Sequence, residues 1–251
     1  MRLSGYWLML LLLFAGNAQA DPVRVAAASD LRYVMPDLVA EFKKRTDIDI
    51  AVTYAASGNL ATQIRHGAPY DLFFSADPKY IKLLIELDLT TGQPVDYAQG
   101  YLALFAGKHS SVNVDKALNG LVESVRAGQV KKIAIANPQH APYGQAAVKV
   151  LEQAGIYKAT QPFLLLAENA SQVTQFSLTP DVDAGFIPYT HAMQPKIAAR
   201  GSYARLDSKL QQQMVILKQH DAAAGQFAAF IMSEAGRALF IQHGFDVSTG
   251  E

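Results

Sequence analysis

The chain has 251 residues, half of them hydrophobic, with 22 basic and 22 acidic side chains and no cysteine. The even charge, without any basic run, argues against a nucleic-acid surface, and the missing thiols exclude disulfides, cysteine nucleophiles and thiolate metal sites. Such a composition supports a sizeable core in one large domain or two small ones.

Arg2, the apolar run Trp7 to Ala15 and the small-residue triplet Ala18-Gln19-Ala20 read as a secretory signal peptide cut before Asp21. The run is too short to span a membrane, so an exported, soluble protein is expected. Strands are expected at Val23–Ala28, Ile48–Tyr54, Asp71–Ser75, Tyr101–Ala106, Lys132–Ala136, Phe163–Ala167 and Ala184–Ile187. Several are apolar at consecutive positions, as strands covered on both faces should be. The first helix is clear, because Leu31, Val34, Met35, Leu38, Val39 and Phe42 form one apolar stripe at helical spacing. Further helices are expected at Asn59–His66, Pro78–Glu86, Tyr143–Ala154, Ser171–Leu178 and Ala222–Gln242, the last region holding a packed helix pair. Alternating strands and helices mean an α/β fold with mainly parallel sheets, which bind ligands at the carboxyl ends of their strands. No Gly, Pro or Ser linker separates two halves. Any second domain is therefore reached through ordered strands, with crossings near 101–107 and in the segment after Tyr189.

Four strand ends share one style. Each passes into small or polar residues and then a helix, at Ser29, at Ser57, at Ala141-Pro142-Tyr143-Gly144 and at Asn169-Ala170-Ser171. A serine at such a junction caps its helix in the simplest reading. The same helix ends expose N–H donors and partial positive charge, and four of them at one crevice would surround a small oxyanion. No Lys or Arg lies within two residues of Ser57 or Tyr143, so the site would be built from neutral dipoles. Such a site suits an unprotonated anion such as molybdate, tungstate or sulfate, since protonated phosphate needs an acceptor. Asp30 is expected to cap its helix, leaving its N–H toward the anion; a carboxylate turned inward would repel a dianion and suit a protonated ligand.

Other chemistries are weaker. The six histidines show no His-x-x-x-His pair, and His140 reads as a solvated loop residue. A serine hydrolase with Ser29 or Ser57 as nucleophile lacks the Gly-x-Ser-x-Gly elbow. AASGNL lacks the Gly-Lys-Ser/Thr ending of a nucleotide loop. Phe73, Phe74 and Phe105 read as core.

The runs AAASDL, YAASGNLATQIRHGAPYDLFFSAD, IANPQHAPYGQAA, LLLAENASQV, DAGFIPYT and the terminal QHGF together resemble, in order and over nearly all the chain after residue 20, the periplasmic molybdate-binding proteins, the ModA family of ABC importers. The most specific pieces are GAPYDLFFSAD and the Asn-Pro-x-His-x-Pro-x-Gly pattern. The resemblance implies a monomeric type II periplasmic binding protein with two α/β lobes, 21–100 with 206–251 and 101–205, and the ligand in the cleft between them. It implies no catalysis and no cofactor, molybdate or tungstate being cargo delivered to a membrane permease. Ser29 and Ser57 match hydroxyl-and-amide donors of the first lobe, Tyr143 and Ala170 match amide donors of the second, and Asp30 sits where some relatives offer a further amide. One branch carries a tyrosine in the Gly-Phe-Ile-Pro-Tyr-Thr region whose hydroxyl reaches the anion. Register puts Pro188 there, so Tyr189, or the hydroxyl of Tyr143, is the expected substitute.

Overall fold

The computed structural model describes residues 21–247; the signal-peptide reading lies outside them. The strands are β1 (Val23–Ala28), β2 (Ile50–Ala55), β3 (Leu72–Ser75), β4 (Thr90–Gly107), β5 (Ile133–Ala136), β6 (Leu164–Ala167), β7 (Ala184–Pro188) and β8 (Gly201–Leu217). The helices are α1 (Met35–Lys43), α2 (Ser57–Arg65), α3 (Pro78–Glu86), α4 (Asn119–Arg126), α5 (Pro142–Gln153), α6 (Tyr157–Thr160), α7 (Ala170–Ser177), α8 (Tyr189–Ala192), α9 (Pro195–Ala198), α10 (Ala223–Met232) and α11 (Glu234–Gln242). Short 3-10 turns occupy Ser29–Arg32 and Gln161–Phe163.

All eight strands join one sheet in the order β2-β1-β3-β8-β4-β7-β5-β6. In one half β1 runs parallel to β2 and β3, and in the other β5 runs parallel to β6 and β7. Each trio has its helices as crossovers, as parallel pairing requires. Between the trios lie β4 and β8, two long antiparallel strands paired from Thr90↔Leu217 to Gly107↔Gly201, with register breaks between Asp96 and Ala98 and between Tyr101 and Ala103. Tyr101–Ala106 is thus only the far end of a much longer strand. The segment after Tyr189 passes through two short helices and then becomes β8.

The two halves have separate aromatic and aliphatic cores. Phe42 and Phe74 pack against Phe227 at 5.1 and 6.4 Å between ring centroids, and Tyr97 packs against Phe240 at 5.1 Å. The C-terminal helices therefore return to the half that holds β1. The helix pair expected within Ala222–Gln242 divides at Ser233, whose hydroxyl accepts the Gly236 N–H and caps α11. In the other half Leu102, Leu104, Leu121, Ile133, Ile135, Leu151 and Phe186 form the core.

Candidate functional site

The carboxyl ends of β1, β2, β5 and β6 point into the seam between the halves, and each is followed by a helical start. The resulting pocket is lined by Ser29, Asp30, Ser57, Tyr143 and Ala170, together with alanines and Pro142. Its volume is about 10 Å³, room for one water-sized sphere. No Lys, Arg or His lines it. That space is far too small for an organic ligand.

The serines do not cap their own helices. The Ser29 Oγ instead accepts the backbone N–H of Ala170 at 3.0 Å, from the opposite half. The Ser57 Oγ, fully buried, accepts the Ala76 N–H at 3.1 Å. Capping at α7 belongs to Asn169, whose Oδ1 accepts from Ser171 and Gln172. Three helices of eight residues or more, α2, α5 and α7, thus begin at the pocket with Ser57, Tyr143 and Ala170 in their first turns.

Asp30 overturns the capping expectation. Its carboxyl makes no cap and is almost completely buried. The Tyr143 hydroxyl donates to its Oδ2 at 3.2 Å. Burial pushes its pKa up to about 7, against the opposing effect of the Tyr143 hydroxyl, the Asp30 backbone N–H and the nearby Gln212 amide. The Tyr143 hydroxyl is thus directed to Asp30. Tyr189, the other expected contact, is placed differently. It lies outside the pocket, its ring packed at 6.1 Å from Tyr203 and under the Arg205 guanidinium.

Further bonds join the halves around the pocket. The Ser171 hydroxyl donates to the Ser29 carbonyl at 3.0 Å, and the Arg32 Nε donates to the Ser171 Oγ at 3.0 Å while its guanidinium lies over the Tyr54 ring. The buried His191 donates from Nε2 to the Asp30 carbonyl at 3.1 Å, and burial lowers its pKa to about 3. Sequence reasoning missed His191 because a lone histidine after a strand carries no pattern. The Gly58 N–H donates to the His140 carbonyl at 3.0 Å, and the His140 ring sits 2.9 Å from the Glu168 carbonyl rather than free in solvent. Among the described residues no group of three or more His, Asp or Glu side chains is placed to hold a metal ion, and no helix is long and apolar enough to cross a membrane.

A sheet of this topology with a neutral, donor-lined pocket at its seam defines a solute-binding protein. Residues 23–246 match the family model described as bacterial extracellular solute-binding protein. Among curated relatives, the molybdate-binding protein ModA of Azotobacter vinelandii is 31% identical over 222 residues, 85% of each chain. The ModA of Rhodobacter capsulatus is 28% identical over 242 residues, 95% of this chain and 93% of that one. The solved periplasmic molybdate-binding protein of Azotobacter vinelandii superposes with a TM-score of 0.82 at 27% identity, covering 90% of this chain and all of that one. The chain belongs to the ModA family. Its members are solute-binding proteins and not enzymes, which removes the hydrolase reading.

Proposed function

We propose that this protein captures molybdate or tungstate in the periplasm and delivers it, as a monomer, to the membrane permease of an ABC importer. The observation that carries the reading is the convergence of Ser29, Ser57, Tyr143 and Ala170, from both halves, on one buried pocket without a cation. The names of the relatives point the same way. The anion takes the hydroxyls and amides of Ser29 and Ser57, the amides of Tyr143 and Ala170 and the amide of Asp30. It replaces the direct bond between Ala170 and Ser29. Each donor to a charged acceptor contributes roughly 1.5–3 kcal/mol, so a ring of neutral donors holds a dianion without a counter-ion.

The reading includes a first lobe of 21–100 with 206–251 and a second of 101–205. Tyr97 and Ala98 pack in the first core, and Leu102, Leu206 and Leu210 in the second. That packing favours crossings near Gly100 in β4 and just past Leu210 in β8, which shifts 206–210 from the first lobe to the second. Closure of the lobes follows because only the closed form gives the anion all its bonds. Selectivity over sulfate follows from size, as the longer bonds of molybdate and tungstate fill a wider ring of donors. No cofactor takes part; the metal oxyanion is cargo.

A thermal-shift series with molybdate, tungstate, sulfate and phosphate at equal concentration tests the reading, because a ligand that binds only the native state raises the midpoint. A rise with molybdate and tungstate alone is expected. A rise with phosphate alone would support a second reading, favoured by the buried Asp30 carboxyl, in which that carboxyl accepts from a protonated oxyanion.

A further inference from the structure

Beneath the pocket lies a polar cluster that anion binding by amides does not explain. Asp30 comes from the 3-10 turn that follows β1, Tyr143 from α5, Tyr97 from β4 and Gln212 from β8. All four are buried. The Tyr97 hydroxyl donates to Gln212 Oε1 at 3.0 Å, and the Tyr143 hydroxyl to Asp30 Oδ2 at 3.2 Å. Two polar atoms of the cluster, Asp30 Oδ1 and Gln212 Nε2, have no hydrogen-bond partner. The cluster presses on Gly100, where an added Cβ would lie 2.5 Å from the Tyr143 hydroxyl and 2.8 Å from Gln212 Nε2. Any larger residue at this point of β4, where the chain passes between the cores, would displace the Tyr143 hydroxyl and the Gln212 amide.

The surroundings of Asp30 carry no positive charge. Tyr143 faces it from α5 and Tyr97 from β4, and burial raises the pKa of both phenols well above the ordinary range, so both stay neutral. Gln212 of β8 cannot titrate. From α8, Thr190 and the neutral His191 meet only the Asp30 backbone carbonyl. Arg32, the cation of the same 3-10 turn, is turned to Ser171 and Tyr54. An ionised carboxylate here would be buried with only neutral dipoles about it, the Tyr143 hydroxyl at 3.2 Å, its own backbone N–H and the nearby Gln212 amide, with no counter-ion and a dianion as its neighbour. A neutral carboxyl removes that repulsion and adds an O–H donor beside a ligand that only accepts.

We propose that the oxyanion is bound together with one proton, which resides on the Asp30 carboxyl where both halves close on β4 and β8. This deepens the oxyanion reading and rests on it. When the halves part, Tyr143 withdraws and water reaches Asp30, which then ionises as an exposed aspartate does. Closure takes the proton back. The pKa of about 7 with the halves together, against the ordinary 3.8, gives the sign. Between those values the closed form holds more protons than the open one, so affinity falls as pH rises through the window. A bound dianion moves its upper edge above 7.

The test is calorimetric titration with molybdate at pH 7 in Pipes and in Tris, buffers of different ionisation enthalpy, followed by a series from pH 6 to 8, where molybdate itself does not titrate. The expected result is net uptake approaching one proton per anion and a Kd that weakens several-fold per pH unit, approaching the tenfold limit for one proton. Asp30→Asn should abolish both the uptake and the slope. The wild-type proton count decides the matter alone if that variant does not fold. Molybdate binding without proton uptake, or a slope that persists in Asp30→Asn, would overturn the inference and leave the oxyanion reading intact. A folded protein that binds no molybdate would overturn both.

Discussion

The backbone of Gly58 meets that of His140 so closely that a Cβ at position 58 would lie 2.8 Å from the His140 carbonyl oxygen and 3.0 Å from its Cα. Gly58 sits in the first turn of α2 and His140 in the loop before α5, so this contact is part of the seam that closes over the pocket.

Gly58→Ala is therefore expected to hold the halves apart. Overpacking of this kind costs about 1–3 kcal/mol, and here the cost falls on the closed form. Molybdate affinity should drop by that amount in titration calorimetry while the melting temperature of the unliganded protein changes little. An unchanged affinity would show that the halves adjust around the methyl group.

Ser57→Ala removes a hydroxyl at the pocket and is expected to weaken binding by about 1–3 kcal/mol, the loss of one bond to a charged acceptor. It also strips the Ala76 N–H of its 3.1 Å partner, so a lower melting temperature should accompany the loss. Comparing the midpoint shift with the calorimetric Kd separates the two effects.

Tyr189→Phe should leave molybdate affinity within about 0.5 kcal/mol of the parent value, as for substitutions away from special features. The Tyr189 ring belongs to a stack with Tyr203 and Arg205 outside the pocket. A large loss of affinity would mean that the hydroxyl swings inward when an anion is present.

His191 should remain neutral far below the usual imidazole range, with the proton on Nε2 toward the Asp30 carbonyl. Its depressed pKa gives stability that is complete above about 6.5 and lost as pH falls toward about 3. Nitrogen-15 chemical shifts of the ring between pH 7 and 4 test this directly; a protonation step near pH 6.5 would contradict it.

What the sequence disclosed follows from how each element is buried. Val23–Ala28 is buried at every position but one and was legible residue for residue. The polar stretches Thr90–Gly100 and Gly201–Leu217 were not recognised as strands. Gly92 and Pro94 interrupt the first, and the second carries charged and amide side chains through most of its length. They are strands because they pair with each other, from Thr90↔Leu217 to Gly107↔Gly201, a partnership that no local pattern reveals. The pocket was largely readable because apolar strands ending in small residues leave a repeated local mark. Asp30 was misread because its partner is remote: Tyr143 is 113 positions away, and a propensity argument sees only the neighbouring helix turn.

The passage of β4 and β8 through both halves also bears on how the chain assembles. The core built on Leu102, Ile133, Leu151 and Phe186 draws on one continuous stretch of chain from β4 to the first part of β8, whereas the half containing β1 lacks its closing strand until β8 has been made and lacks α10 and α11 until the chain is nearly complete. Pairing β3 with β8 joins residues as far apart as Leu72 and Ile216. Closing so long a loop is entropically slow. During synthesis the inserted half should become compact first, and the N-terminal strands should wait, unpartnered on one edge, for the end of the polypeptide. A ribosome-bound chain truncated near residue 205 should accordingly resist protease in its later part and remain cleavable in its earlier one.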